Sequence, residues 1–143
     1  MIQLDRNHLQ VMMEAGYVYI GMRRFKEARA MFEGIACLAP DSEVPLVALG
    51  NVEFCEDRLQ KAMKHYRDAL EIDRKSVFAK VYLGEALIFA GEKAEGLKLL
   101  NEVAKADRGG GAGDFARALL DAIKGGFDPA AARNMENKKG GAA

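Results

Sequence analysis

The 143-residue sequence has no surplus of either charge: 21 Lys and Arg balance 21 Asp and Glu. Nucleic acid and anionic lipid attract proteins through a broad basic field, so neither is expected as a partner. Long apolar runs are missing too. None approaches the ~20 residues that span a bilayer. The opening Met1-Ile2-Gln3-Leu4-Asp5-Arg6 lacks the basic start and apolar core of a secretory signal. Cysteine is scarce. Cys37 and Cys55 form no CxxC and have no His at metal spacing, and they read as buried reduced thiols rather than a disulfide. His8 and His65 stand far apart with no carboxylate pattern for a metal or proton relay, so a structural or surface role is expected. The glycine run 109–113 follows a predicted helix and lacks GxxxxGK[ST], which excludes a phosphate cradle. Lys138-Lys139 is too short for a basic targeting signal. No catalytic, cofactor-binding or metal-binding constellation is found. These absences predict a soluble, cytoplasmic, single-domain protein that is not an enzyme and carries no cofactor.

What is present is a repeat. Gly16, Gly50 and Gly84 are 34 residues apart each time. The same period aligns small residues (Ala28, Ala62, Gly96), large ones (Phe32, Tyr66, Leu100), then Ile35, Ala69 and Val103, and before the glycine Ala15, Leu49 and Leu83. A fixed period of this length marks stacked supersecondary units. Glycine inside a helix costs roughly 1 kcal/mol relative to alanine, so its recurrence needs a packing gain, here the close approach of a second helix. Spacings of three and four, as in Ala28, Met31, Phe32 and Ile35, describe one buried helical stripe. The predicted fold is all-α, with helices at about 8–22, 25–38, 43–56, 59–72, 77–90 and 93–106. Pro40 stops the second helix, Asp41 or Ser42 can cap the third, and Ser76 can cap the fifth.

The glycines at 109–113 are expected to be a flexible joint, after which Asp114 caps a helix over 114–124 striped by Phe115, Leu119, Leu120 and Ile123. Such a helix covers the last apolar face of an array. Residues 125–143 have no apolar period and read as a flexible, disordered tail.

Over about residues 9–110 these columns resemble the tetratricopeptide repeat family, with copies at about 9–42, 43–76 and 77–110. Gly16, Tyr19, Ala28, Phe32 and Pro40 match its pattern in the first copy; the third, with Gly96, Leu100 and Arg108, is the loosest. The resemblance implies one domain over 1–124: a right-handed α-solenoid of three helix pairs closed by a C-terminal capping helix. In this family the first helix of each pair lines a concave groove. That register places Gln10, Met13, Tyr17, Ile20 and Gly21 in it from the first copy. The second supplies Val44, Val47, Asn51, Phe54 and Cys55, and the third Phe78, Val81, Glu85, Ile88 and Phe89. Some of these, Phe54 and Ile88 foremost, could instead turn into the core. The expected binding set is Met13, Tyr17, Ile20, Val44, Val47, Asn51, Phe54, Phe78, Val81, Glu85 and Ile88, an apolar surface suited to a partner's apolar segment. Asn51 could hold a peptide backbone. Members that grip acidic chaperone C-termini place cations where this chain has Met13, Phe78 and Tyr82, which disfavours that reading.

A narrower resemblance rests on the run 25–32, on Cys37-Leu38-Ala39-Pro40, on Leu49-Gly50 and on Ala62-Met63-Lys64-His65-Tyr66. These phrases are similar to the small tetratricopeptide chaperones of bacterial type III secretion. The resemblance implies a chaperone or adaptor that binds an extended or helical apolar segment of a partner protein, with homo-oligomerisation possible. The alternative is a structural or assembly subunit that self-associates, or docks in a larger complex, through its outer face or cap.

Overall fold

The structure, a computed structural model, describes residues 5–140, and its regular elements there are eight α-helices. They are α1 (Arg6–Gly21), α2 (Phe25–Leu38), α3 (Val44–Cys55), α4 (Leu59–Ile72), α5 (Val77–Phe89), α6 (Lys93–Ala106), α7 (Gly111–Lys124) and α8 (Pro129–Gly140). The first six lie within two residues of the helices the 34-residue period predicts. Two compact units hold them: Met1–Ser76 with α1–α4, and Val77–Ala143 with α5–α8.

In the first unit α1 packs on α2, α2 on α3, and α3 on α4. Asp5 starts α1 by accepting the His8 N–H at 2.9 Å, and Ser42 accepts the Val44 N–H at 3.3 Å where α3 begins. Ala28, Phe32 and Ile35 of α2 meet Ala48, Leu49 and Val52 of α3 in a shared core. Each large side chain removed from water there contributes roughly 1.5–3 kcal/mol. The glycine column has the predicted reason: a Cβ on Gly16 would run into the Phe32 ring, and one on Gly50 into the Tyr66 ring. Within each pair the turn puts one residue in the left-handed region, Arg23 (φ 59°) and Asp57 (φ 60°). A network the sequence did not reveal ties α2 to the end of α3. Arg29 bonds Glu53 at 3.2 Å and Glu56 at 2.6 Å, and Arg58 closes on Glu56 at 2.8 Å. Cys37 and Cys55 form no disulfide and are exposed, not buried as expected; Cys37 falls off the buried Ala28–Phe32–Ile35 stripe of α2.

In the second unit α5 packs on α6, and α6 on α7. Val81, Ile88, Leu100, Val103, Ala112 and Ala116 form its core, with Phe115, Leu119, Leu120 and Ile123 of α7 packed against it as the capping stripe predicts. The copy loosest in pattern is tight in packing. Gly96 replaces alanine because a Cβ there would strike Ile88 and the Gly84 carbonyl.

Three expectations are corrected. Gly111, Ala112 and Gly113 belong to α7 rather than to a flexible joint. Asp107 Oδ2 accepts the Gly113 N–H at 2.8 Å, and a Cβ on Gly113 would overlap the Asp107 carbonyl. These glycines serve close approach, not looseness. Asp114 is not the cap; it pairs with Arg117 at 2.7 Å, whose guanidinium also donates to the Ala104 and Arg108 carbonyls at 3.0 and 3.1 Å. In the tail, residues 129–140 form α8. Asp128 accepts the Ala131 N–H at 3.3 Å, Pro129 sits at the first turn, and Ala130-Ala131-Ala132-Arg133 are strong helix formers. Residues 1–4, and residues 141–143 of that predicted tail, lie outside the described residues.

Candidate functional site

In the first unit, the start of α1, the end of α2 and the start of α3 enclose a groove of about 610 Å³. Leu9, Met13, Ile35, Val44 and Pro45 make its apolar lining, and Arg6, Gln10 and Ser42 supply its polar groups. Such a volume and composition suit a ligand's large apolar side chains. Of the predicted set, Met13 and Val44 come together here, with Gln10 beside them. Leu9, Ile35 and Pro45 were not predicted: Ile35 comes from the end of α2, and Leu9 and Pro45 stand on α1 and α3 outside the columns that the family register assigns to the groove.

Beside it, Tyr17 packs edge-on against Phe32, centroids 5.2 Å apart. Asn51 donates from Nδ2 to Tyr17 Oη at 3.1 Å and accepts at Oδ1 from Tyr66 Oη at 2.7 Å. The amide expected to hold a peptide backbone is therefore engaged on both sides by tyrosines, and it fixes the tilt of Tyr17, which remains 42% exposed. Ile20 and Phe54 are half-buried, Ile20 against the α2–α3 core. Val47 is buried. It takes no direct part in an open surface, although the family register puts it there.

In the second unit α5 carries an aromatic ledge. Phe78, exposed, stacks on Tyr82 with centroids 6.2 Å apart, and Tyr82 meets Phe115 of α7 at 5.9 Å. Phe78 was predicted; Phe115 had been assigned only to the cap. Val81 and Ile88 are core residues at 0% and 2% exposure, so a partner cannot touch them without unfolding the unit. The register fails at these positions because α7 packs onto α5 as well as onto α6. Glu85 is half-buried, and burial pushes its carboxyl up to about 7. Burial also raises Tyr82 and, in the first unit, lowers His65, which is half-buried on α4. Among the described residues no group of His, Cys, Asp and Glu could hold a metal ion, and no helix is long and apolar enough to cross a membrane.

No family model matches the sequence, and no curated protein does. Solved structures match over most of the chain. The Yersinia enterocolitica type III secretion translocator chaperone SycD superposes with a TM-score of 0.71 at 16% identity, covering 82% of this chain and 91% of its own. PcrH, solved with the chaperone binding region of PopB, gives 0.70 at 13% identity over 86% and 99% of the two chains. The first TPR of Spaghetti (RPAP3), bound to an HSP90 peptide, gives 0.65 at 21% identity over 87% and 99%. The chain thus has the all-α fold of tetratricopeptide helical repeats and is similar to type III secretion chaperones in its backbone.

Proposed function

We propose that the chain is a cytoplasmic, protein-binding chaperone or adaptor that holds an apolar segment of a partner, in the manner of the type III secretion chaperones. The observation that carries the reading is the 610 Å³ apolar groove, whose Met13 and Val44 come from the helices that line the peptide face in this fold. The likeness to chaperones solved with partner segments supports it. So does the make-up of Met13, Phe78 and Tyr82, which present no cation to an acidic tail. Two or three apolar side chains seated at roughly 1.5–3 kcal/mol each supply at most about 9 kcal/mol before the cost of association, so micromolar affinity requires partner contacts beyond the groove as well.

Val44→Glu tests it, because Val44 is half exposed and glutamate in a helix's first turn is favourable to the helix. A partner captured from native lysate, identified by mass spectrometry and purified, should bind the variant at least tenfold more weakly in calorimetry while the melting temperature holds. Equal affinity removes the groove from the proposal.

One observation favours the assembly reading. On α1 and its C-cap residue, Val11, Val18 and Met22 are 62%, 60% and 57% exposed, and with Ala15 they repeat at spacings of four, three and four. The same columns in α3, Pro45, Leu49 and Val52, are buried, and Leu49 and Val52 pack in the core that α2 shares. Sedimentation of the wild type against Val18→Glu decides it. A concentration-dependent dimer lost in the variant supports self-association through α1, and a monomer throughout removes it.

A further inference from the structure

In the second unit α5 keeps one open row. Phe78 is exposed and Tyr82, Glu85 and Phe89 are half-buried, at spacings of four, three and four. Seven other residues of α5, between Ala79 and Ile88, are buried. The row holds three aromatic rings and one carboxylate. Phe78 stacks on Tyr82, Tyr82 meets Phe115 of α7, and the Phe78 ring lies 3.9 Å from where a Cβ on Gly111 would stand. Glu85 follows Tyr82 by three residues, so its carboxylate shares a face with these rings.

That carboxylate has no countercharge in its own unit. Among the described residues no Lys, Arg or His pairs with Glu85, and burial is what pushes its carboxyl up to about 7. Lys80, the other charged residue of α5, stands five positions away, about 140° round the helix. Arg117 of α7 is held by Asp114 and by two carbonyls. The column to which Glu85 belongs shows what it lacks. Its second member, Asn51, accepts from Tyr66 Oη at 2.7 Å and donates to Tyr17 Oη at 3.1 Å. One period after Tyr66 comes Leu100, buried and without a donor. Glu85 therefore keeps the polar position of its column without the hydroxyl that would satisfy it. A half-buried carboxylate with no cation costs stability near neutral pH, and a ligand that brings the cation removes the cost.

We infer that the row Phe78, Tyr82 and Glu85 is a receptor for a basic side chain, and that it takes a partner segment setting one lysine or arginine among apolar residues. The cationic head pairs with the Glu85 carboxylate, its methylene stem lies along the rings, and the flanking apolar side chains exclude water. An acidic segment is repelled, and a wholly apolar one leaves the carboxylate buried and unpaired. The site lies in the second unit and does not rest on the groove of the first.

Random twelve-residue peptides displayed on phage and selected on the full chain test it. The wild type should enrich lysine or arginine flanked by apolar residues, and Glu85→Gln, which keeps the shape and removes the charge, should lose that enrichment. The strongest wild-type peptide, synthesised, should bind Glu85→Gln at least tenfold more weakly in calorimetry at pH 8, where Glu85 is largely ionised. With norleucine in place of its basic residue, it should bind Glu85→Gln at least as well as the wild type. Phe78→Ala should weaken both peptides and Val44→Glu neither, which separates failure here from failure of the first-unit groove. Equal enrichment of basic residues on the wild type and Glu85→Gln, or none on either, overturns the receptor. So does binding that survives Phe78→Ala or is lost in Val44→Glu. A wild-type dimer that Glu85→Gln dissociates in sedimentation also overturns it, by making a second copy the occupant.

Discussion

At the scale of single residues, glycine has two opposite meanings here, and substitution separates them. Gly50 faces the Tyr66 ring so closely that alanine forces the ring and its bond to Asn51 to move. Gly50→Ala should cost about 1–3 kcal/mol in urea unfolding, the usual penalty of overpacking. Gly34, exposed in α2 with nothing near its Cβ position, should gain about 1 kcal/mol as alanine. Period told these residues apart: Gly50 belongs to a column and Gly34 does not. Glu85 makes a second residue-scale prediction. Its folded pKa of about 7 lies above the ordinary 4.5, so between these values the native state holds a proton that the unfolded state has lost. Stability from Glu85 is full below about 4.5 and is lost as pH rises through about 7, by a few kcal/mol at most. His65, depressed by burial, works in the opposite sense near its ordinary 6.5, because there the unfolded chain takes up the proton first. Glu85→Gln should therefore flatten the fall in melting temperature between pH 5 and 8 and raise stability at pH 8, with the His65 contribution untouched.

At the scale of elements, the six repeat helices were legible because buried stripes and close-packing glycines both follow the period. The joint before α7 was not. Five residues containing four glycines look loose in sequence, and only the position of Asp107 shows that Gly110 and Gly113 are small so that its carboxylate and carbonyl can lie against them. Asp107→Ala should fray the start of α7 and cost about 0.5–2 kcal/mol, as loss of a helix-starting acceptor does. The tail was misread for a related reason. Helix propensity and a capping Asp128 suffice to form α8 without an apolar period, since it buries only a narrow face. The Arg29–Glu53–Glu56–Arg58 network is also invisible to period, because the columns of Arg29, Glu53 and Glu56 hold no charge in the other copies.

At the scale of the whole molecule, the candidate surface was half legible. Family register located Met13, Tyr17, Val44 and Phe78 where a partner can reach them, but it could not say which neighbours of the same columns are sealed by a packed helix. Val47, Val81 and Ile88 are sealed, so under the proposed function binding and stability fall to different residues of one register. Glutamate at Val81 puts a carboxylate into the core beside Ile88, Leu100 and Val103. An unpaired charge there costs several kcal/mol, against a total of about 5–15 for a domain of this size. Val81→Glu should lose its cooperative thermal transition, whereas Val44→Glu should keep its full helical signal and lose only the partner. Circular dichroism melts of the two variants, run beside the same binding titration, check the division. A Val81→Glu protein that melts like the wild type would place that side chain at the surface and return it to the binding set.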